Sequence, residues 1–250
     1  MFAAKAYKFY AKAASLSVAA ATIGLTYGNL TECDSSVYDI RVGNTLSRLS
    51  PYLKSMADSD VMTLRKETNG VWIFSPSDED KHRANGGLPV ARIATTTIKK
   101  SINDISNLWW NVNERKNWDS VNTEDSNVVK SLSVEEQLVY LQGKPKKGGV
   151  ISSRDFSYNM FRLEGKNLGF ASGSVLFVQI SAPTEVPANK KSVRGDVNSI
   201  LLLEPIDAGT TKVSYVIEMD VKGWLPVKVV NAAADETPLT LAVMRDHLER

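Results

Sequence analysis

Cysteine is almost absent from this chain. Its 250 residues include one, Cys33, and only two histidines, His82 and His247. An intrachain disulfide is excluded, as is a metal site built from thiolates or from an imidazole cluster. A lone thiol fits a reducing or redox-indifferent compartment. An excess of one charge is missing too: 30 Lys and Arg against 28 Asp and Glu leave a net charge of +2. No basic stripe interleaved with aromatics occurs, so nucleic acid is not an expected partner. Catalytic signatures are also wanting. Gly173-Ser174 lacks the second glycine of a G-x-S-x-G elbow, and Lys147-Gly148-Gly149 opens a strand rather than a phosphate-cradling helix. His247 follows Asp246 near the C-terminus and reads as a solvated surface residue. Neither a cofactor nor enzymatic activity is expected.

Acidic residues are missing from residues 1–31. There Lys5, Lys8 and Lys12 fall on one helical face, while Phe2, Phe9, Ala13 and Leu16 lie away from it. An uncharged run follows from Ala13 to Thr31. A mitochondrial-type targeting helix is the preferred reading, ahead of a secretory signal or short membrane anchor, with an ordinary N-terminal helix as the third. The domain boundary is therefore set at residue 32, with one domain expected over 32–250. Hydrophobic residues make up 43% of the chain, an ordinary globular balance with ample material for a core.

Periodicity assigns the elements. Residues 36–57 read as a helix with a possible interruption at Gly43 and Pro51. Val61–Phe74 reads as a hairpin turning at Asn69-Gly70. Ser75–Gly87 reads as polar loop and Leu88–Ile98 as a strand. Ser101 with Asp104 forms a capping-box pattern ahead of a helix running to about Arg115. From Val128 to Val221 the reading is about six strands joined by hairpin-length links, hence antiparallel. Val227, Val230, Ala234, Thr237, Leu241, Met244 and Leu248 then step by 3 and 4 along one face of a C-terminal helix. Strands segregated from helices predict an α+β fold with a large antiparallel sheet, and a sheet that curls around one helix makes a concave apolar face.

Four motifs occur in order along this frame: Trp118-Asp119, Arg154-Asp155-Phe156, Val193-Arg194-Gly195, and Asp220-Val221-Lys222-Gly223-Trp224-Leu225-Pro226 before the last helix. In these the chain resembles the START domains, the lipid-transfer module named for the steroidogenic acute regulatory protein, over roughly residues 36–250. The fourth motif is most similar to the sterol-binding branch. The resemblance implies a helix-grip fold, a curved antiparallel sheet wrapped around a long C-terminal helix and enclosing a tunnel for one lipid, sterol or phospholipid. It implies transfer of that lipid between membranes, the membrane surface as a partner, and a monomer. A lipid-sensing or scaffold module without transfer, and a helix-grip hydrolase or cyclase, are the alternatives.

Along Arg154–Leu163, alternation puts Arg154, Phe156, Tyr158, Met160 and Arg162 on one side, taken as the inward face. Phe156, Tyr158, Met160, Arg162, Val230, Ala234, Leu241 and Met244 are the expected tunnel wall. The sterol branch carries an inward Arg at the position of Met160, with an acidic partner on a preceding strand; Arg162 is the substitute, and Glu135 and Glu136 are the candidate partners. The resemblance assigns a tunnel-mouth loop to Glu164–Gly169, with Gly165, Leu168 and Gly169 as its gate. Gly223, Trp224 and Pro226 form the hinge of the closing helix.

Overall fold

Alternation along the longest strands builds a sheet that is buried on both faces. The computed structural model describes residues 40–56, 60–145 and 151–250. The expected targeting segment, its boundary at residue 32 and Cys33 lie outside the described residues. In chain order the described elements are α1 (Ile40–Lys54), β1 (Met62–Thr68), β2 (Val71–Pro76), α2 (Glu79–Ala84), β3 (Val90–Ile98), α3 (Ile102–Trp110), a 3-10 turn, α4 (Arg115–Trp118) and β4 (Thr123–Ser131). There follow β5 (Glu136–Gly143), β6 (Arg154–Glu164), β7 (Val175–Ser181), β8 (Val193–Arg194), β9 (Asp196–Asp207), β10 (Thr210–Asp220), α5 (Val227–Glu236) and α6 (Thr240–Leu248). The ten strands form one sheet in the order β1-β2-β3-β10-β9-β7-β6-β5-β4, antiparallel throughout, with the short β8 pairing parallel to β6.

The two faces carry separate cores. On the concave face Val213, Tyr215, Ile217 and Met219 of β10 pack with Tyr158, Met160, Phe177 and Leu201 against Ala234, Leu241 and Met244 of the C-terminal helices. On the convex face Val216, Phe161, Leu163, Val178 and Ile200 pack against Val42, Leu49 and Leu53 of α1. The sheet is thus gripped by helices on both sides, and residues that read as polar alternates, such as Ser214 and Glu218, are fully buried.

Several local expectations hold for clear reasons. Asn69 and Gly70 both take left-handed φ values (50° and 66°), as a two-residue hairpin turn demands. The Ser101 hydroxyl accepts from the Asp104 N–H, capping α3. α1 continues through Pro51, although proline there forgoes one backbone hydrogen bond and crowds the carbonyl one turn back. Others are corrected. The 75–87 segment holds α2, capped by the Asp78 carboxylate at the Lys81 N–H. The C-terminal helix is not continuous: Thr237–Leu239 forms a 3-10 turn around the buried Pro238, which cannot continue an α-helical bond ladder. α5 and α6 are therefore two short pieces, and Val227 at the start of α5 is 74% exposed rather than inward.

Candidate functional site

Between the concave face and α5 lies a cavity of about 180 Å3. Strand register orders the concave face beneath it into layers, of which Met219, Val197, Tyr158, Ile217, Gln179 and Tyr215 line the cavity. One layer holds Met219, Val197 and Tyr158. The next holds Ile217, Ser199, Gln179 and Met160, each directly paired with its neighbour. Beyond it come Tyr215, Leu201, Phe177 and Arg162. α3 plugs this far end: Trp109 meets Tyr215 edge-on at 5.7 Å, and Trp110 lies 6.1 Å from Phe177 with the Arg162 guanidinium 5.2 Å over its ring. The opposite end is the mouth, lined by Arg154, Ser152, Lys144, Val221 and Leu225; Val230, Ala233 and Glu236 of α5 and Thr237 of the 3-10 turn also line the cavity.

The inner end is polar. Gln179 accepts from the Ser199 hydroxyl at 2.7 Å, while its own amide nitrogen is buried without a hydrogen-bond partner. Arg115 stacks over Trp109 (4.6 Å) and Trp118 (5.4 Å) and lies 3.7 Å from the buried Asp119, yet its Nε also lacks a hydrogen-bond partner. Asp119 accepts from Thr240 (2.9 Å) and Asn122 (2.8 Å). Burial pushes the Tyr158 phenol up to about 12, so it remains a neutral hydroxyl, and burial raises Tyr215 likewise. A buried N–H left unpaired costs about 1–3 kcal/mol. Gln179 Nε2 and Arg115 Nε are thus two buried donors without an acceptor among the described residues.

Three of the four sequence motifs converge on the mouth. Arg154 and Asp155, being adjacent on a strand, point to opposite faces and do not pair with each other. Arg154 donates to the carbonyls of Val221 (3.2 Å) and Lys222 (3.4 Å) and so clamps the turn into α5. Asp155 is fully buried and pairs with Arg194 at 2.8 Å, and Arg194 also donates to the carbonyls of Pro183, Val186 and Pro187, holding the 182–192 loop. Gly195 lets β9 pass Phe156; a Cβ there would sit 2.6 Å from that ring and 3.0 Å from the Asp220 carbonyl. Lys222 and Gly223 both take left-handed φ (48° and 74°), producing the sharp handover from β10.

Of the expected tunnel wall, Phe156, Tyr158 and Val230 line the cavity. Met160 is buried in the Gln179 layer but sealed off, its sulfur 3.6 Å from the Gln137 amide. Arg162 lies one layer further, over Trp110. Ala234, Leu241 and Met244 belong to the same core without facing the cavity. Among the described residues no ion pair joins Arg162 to either expected partner: Glu135 meets it only through its backbone carbonyl, which accepts from the Arg162 N–H at 2.9 Å, and Glu136 is half-buried on β5. Gly223, Trp224 and Pro226 stand at the mouth, in the turn beside Val221 and Leu225. Gly165, Leu168 and Gly169 do not: they follow the other end of β6, where Leu168 packs onto the α1 core and a Cβ on Gly169 would face Lys54. The loop bordering the mouth is instead the β5–β6 connection, through Lys144, Ile151 and Ser152. Sequence reading missed Arg115, Gln179 and Tyr215. The signals were present: Arg115 and Asp119 at helical spacing beside Trp118, and one amide at an inward position of the apolar strand Val175–Ser181.

A curved sheet gripping a helix over a largely apolar cavity defines a helix-grip fold. The START domain model matches residues 53–248, and the chain belongs to that family. The steroidogenic acute regulatory protein of Xenopus laevis is 23% identical over 125 residues, 48% of this chain and 42% of that protein. The match thus spans less than half of the curated relative. Among solved structures, a STAR-related lipid transfer protein from Xanthomonas axonopodis superposes with a TM-score of 0.62 at 23% identity, over 76% of this chain and 100% of that one. Human STARD10 gives 0.63 at 18% identity over 78% and 76%, and human StAR-related lipid transfer protein 5 gives 0.62 at 16% over 83% and 98%. These likenesses establish the fold.

Proposed function

We propose that this chain takes up one lipid, a sterol or phospholipid, and carries it between membranes without chemical change. The observation that carries the reading is the cavity: apolar walls ending in the unpartnered N–H groups of Gln179 and Arg115. The apolar body of a lipid fits the walls, and its acceptor oxygens fit the inner donors. Among the described residues no histidine or cysteine lines the cavity, which leaves it without the usual nucleophile–base pairing.

The cavity as closed is smaller than the roughly 300–1,000 Å3 of ordinary ligand pockets. Loading therefore requires α5 to move outward about the Lys222-Gly223 turn. The exposed apolar side chains at that end, Trp224 (93%), Val227 (74%) and Val121 (69%), suit insertion into a bilayer surface, with Lys144 and Lys228 to meet anionic headgroups.

The test is transfer of a fluorescent sterol or phospholipid from donor to acceptor vesicles by the full chain. Transfer proportional to protein concentration is expected, with Trp224→Ala slowing it while leaving stoichiometric binding intact. Stoichiometric binding without transfer would overturn the carrier reading in favour of a sensor.

A further inference from the structure

The α5 lid is held by few apolar contacts. Ala234 is its one fully buried residue, no side chain caps its N-terminus, and Ala232 and Ala233 present little bulk to the sheet. Beneath it lies a side chain that does not suit an apolar wall. Arg92 of β3 sits opposite Ile217 on the concave face and is 1% exposed. Its Nε donates to Asp235 at 2.5 Å and its Nη2 to Asn231 at 3.3 Å, two α5 residues one helical turn apart. Its Nη1 donates to the Ala91 carbonyl (2.7 Å) and lies 3.5 Å from Glu79 of α2, which does not belong to the lid. Arg65, itself 40% exposed, is a more distant partner of Asp235, at 3.7 Å.

We propose that Arg92 is the latch of the α5 lid, a positioning residue shared between Asp235 on the moving helix and Glu79 on the fixed framework. With the lid closed, the guanidinium faces both carboxylates. When α5 lifts, Asp235 and Asn231 leave and Glu79 remains. The cation is then never stranded without a counter-charge, so opening avoids the large penalty of an unpaired buried charge. Removing Asp235's charge weakens only the closed state. Removing Glu79's charge leaves Arg92 without any carboxylate in the open state, so it holds the lid shut. The two carboxylates act on the same guanidinium in opposite directions, a pattern that a merely stabilising ion pair does not produce.

The inference concerns the lid of the proposed lipid site, and its first test needs no lipid. Amide hydrogen exchange of Val227–Glu236 is measured on the ligand-free full chain, where exchange reports the opening equilibrium. Asp235→Asn is expected to speed exchange in α5 by about three- to tenfold, the loss of one charge-assisted bond. Glu79→Gln is expected to slow it. Glu204→Gln, which breaks the remote Lys212–Glu204 pair (2.9 Å), is expected to leave it unchanged. Both carboxylates are partly exposed, so neither substitution empties a core position. Equal or same-direction effects of the first two variants would overturn the latch. Release of a preloaded fluorescent phospholipid to acceptor vesicles should follow the same order. If exchange obeys the order but no lipid binds, the latch stands and the carrier reading fails.

Discussion

At Gly195 an added methyl group would meet backbone as well as a side chain. Its Cβ would meet the Phe156 ring at 2.6 Å and the Asp220 carbonyl at 3.0 Å, and the second of these is backbone. Gly195→Ala should destabilise the fold by about 1–3 kcal/mol in urea unfolding, the range for overpacking a fitted site. Gln179 carries a second prediction. Its amide nitrogen is buried without a partner, but its carbonyl accepts from the buried Ser199 hydroxyl, so Gln179→Leu should lower ligand-free stability by about 1–3 kcal/mol by leaving that hydroxyl unpaired. Lipid affinity, read by fluorescence titration, should fall by about five- to tenfold as one hydrogen bond to the ligand is lost. The motif residues were legible as motifs in the sequence, but their roles were not. The Arg154-Asp155 pair looks like one unit until alternation sends Arg154 to the hinge of α5 and Asp155 to Arg194. Gln179 went unnoticed because a single polar residue in an apolar strand reads as an outward alternate unless the curvature of the sheet is known.

α5 decides how large the cavity can be. Ala233 faces into it, and closing that space with a ring should block the ligand without disturbing the sheet beneath. Ala233→Phe is expected to keep the native circular dichroism spectrum and lose lipid binding. Retention of binding at wild-type affinity would place the ligand elsewhere. The apolar period from Val230 to Met244 runs unbroken through Pro238, so periodicity suggested one long helix. The bond ladder breaks there although the buried face continues, because Pro238 removes an N–H without removing the stripe. The Glu164–Gly169 turn lies away from the mouth for a related reason. Two glycines in Glu164–Gly169 mark a turn, but only three-dimensional register shows that this turn lies at the closed end, beyond the tryptophans of α3.

At the scale of the molecule, the sheet is a wall with a core on each side, and Glu218 ties the convex side together. It is fully buried and bonded to Arg48 of α1, to His82 of α2 at 3.0 Å, to Asn198 at 2.9 Å and to the Leu88 N–H at 3.2 Å. Burial by itself would raise its pKa, but hydrogen bonds from His82, Arg48 and Asn198 outweigh it and hold the carboxyl below its ordinary 4.5. A depressed folded-state value means the contribution is present above the ordinary pKa and is lost as pH falls through the folded one. Thermal stability should therefore drop on acidification below about 4.5, and Glu218→Gln should flatten that acid limb while lowering stability near neutrality. The α+β class and the antiparallel order of the strands could be read from alternation and link length alone. That both faces are covered could not, because a polar residue such as Glu218 on an alternating strand reads as solvated. The central claim is a single lipid enclosed between that wall and α5. Native mass spectrometry of the full chain after incubation with mixed sterol–phospholipid vesicles tests it most directly. One lipid per chain, absent from Ala233→Phe, is the predicted result; no adduct, or an adduct undiminished in that variant, would contradict it.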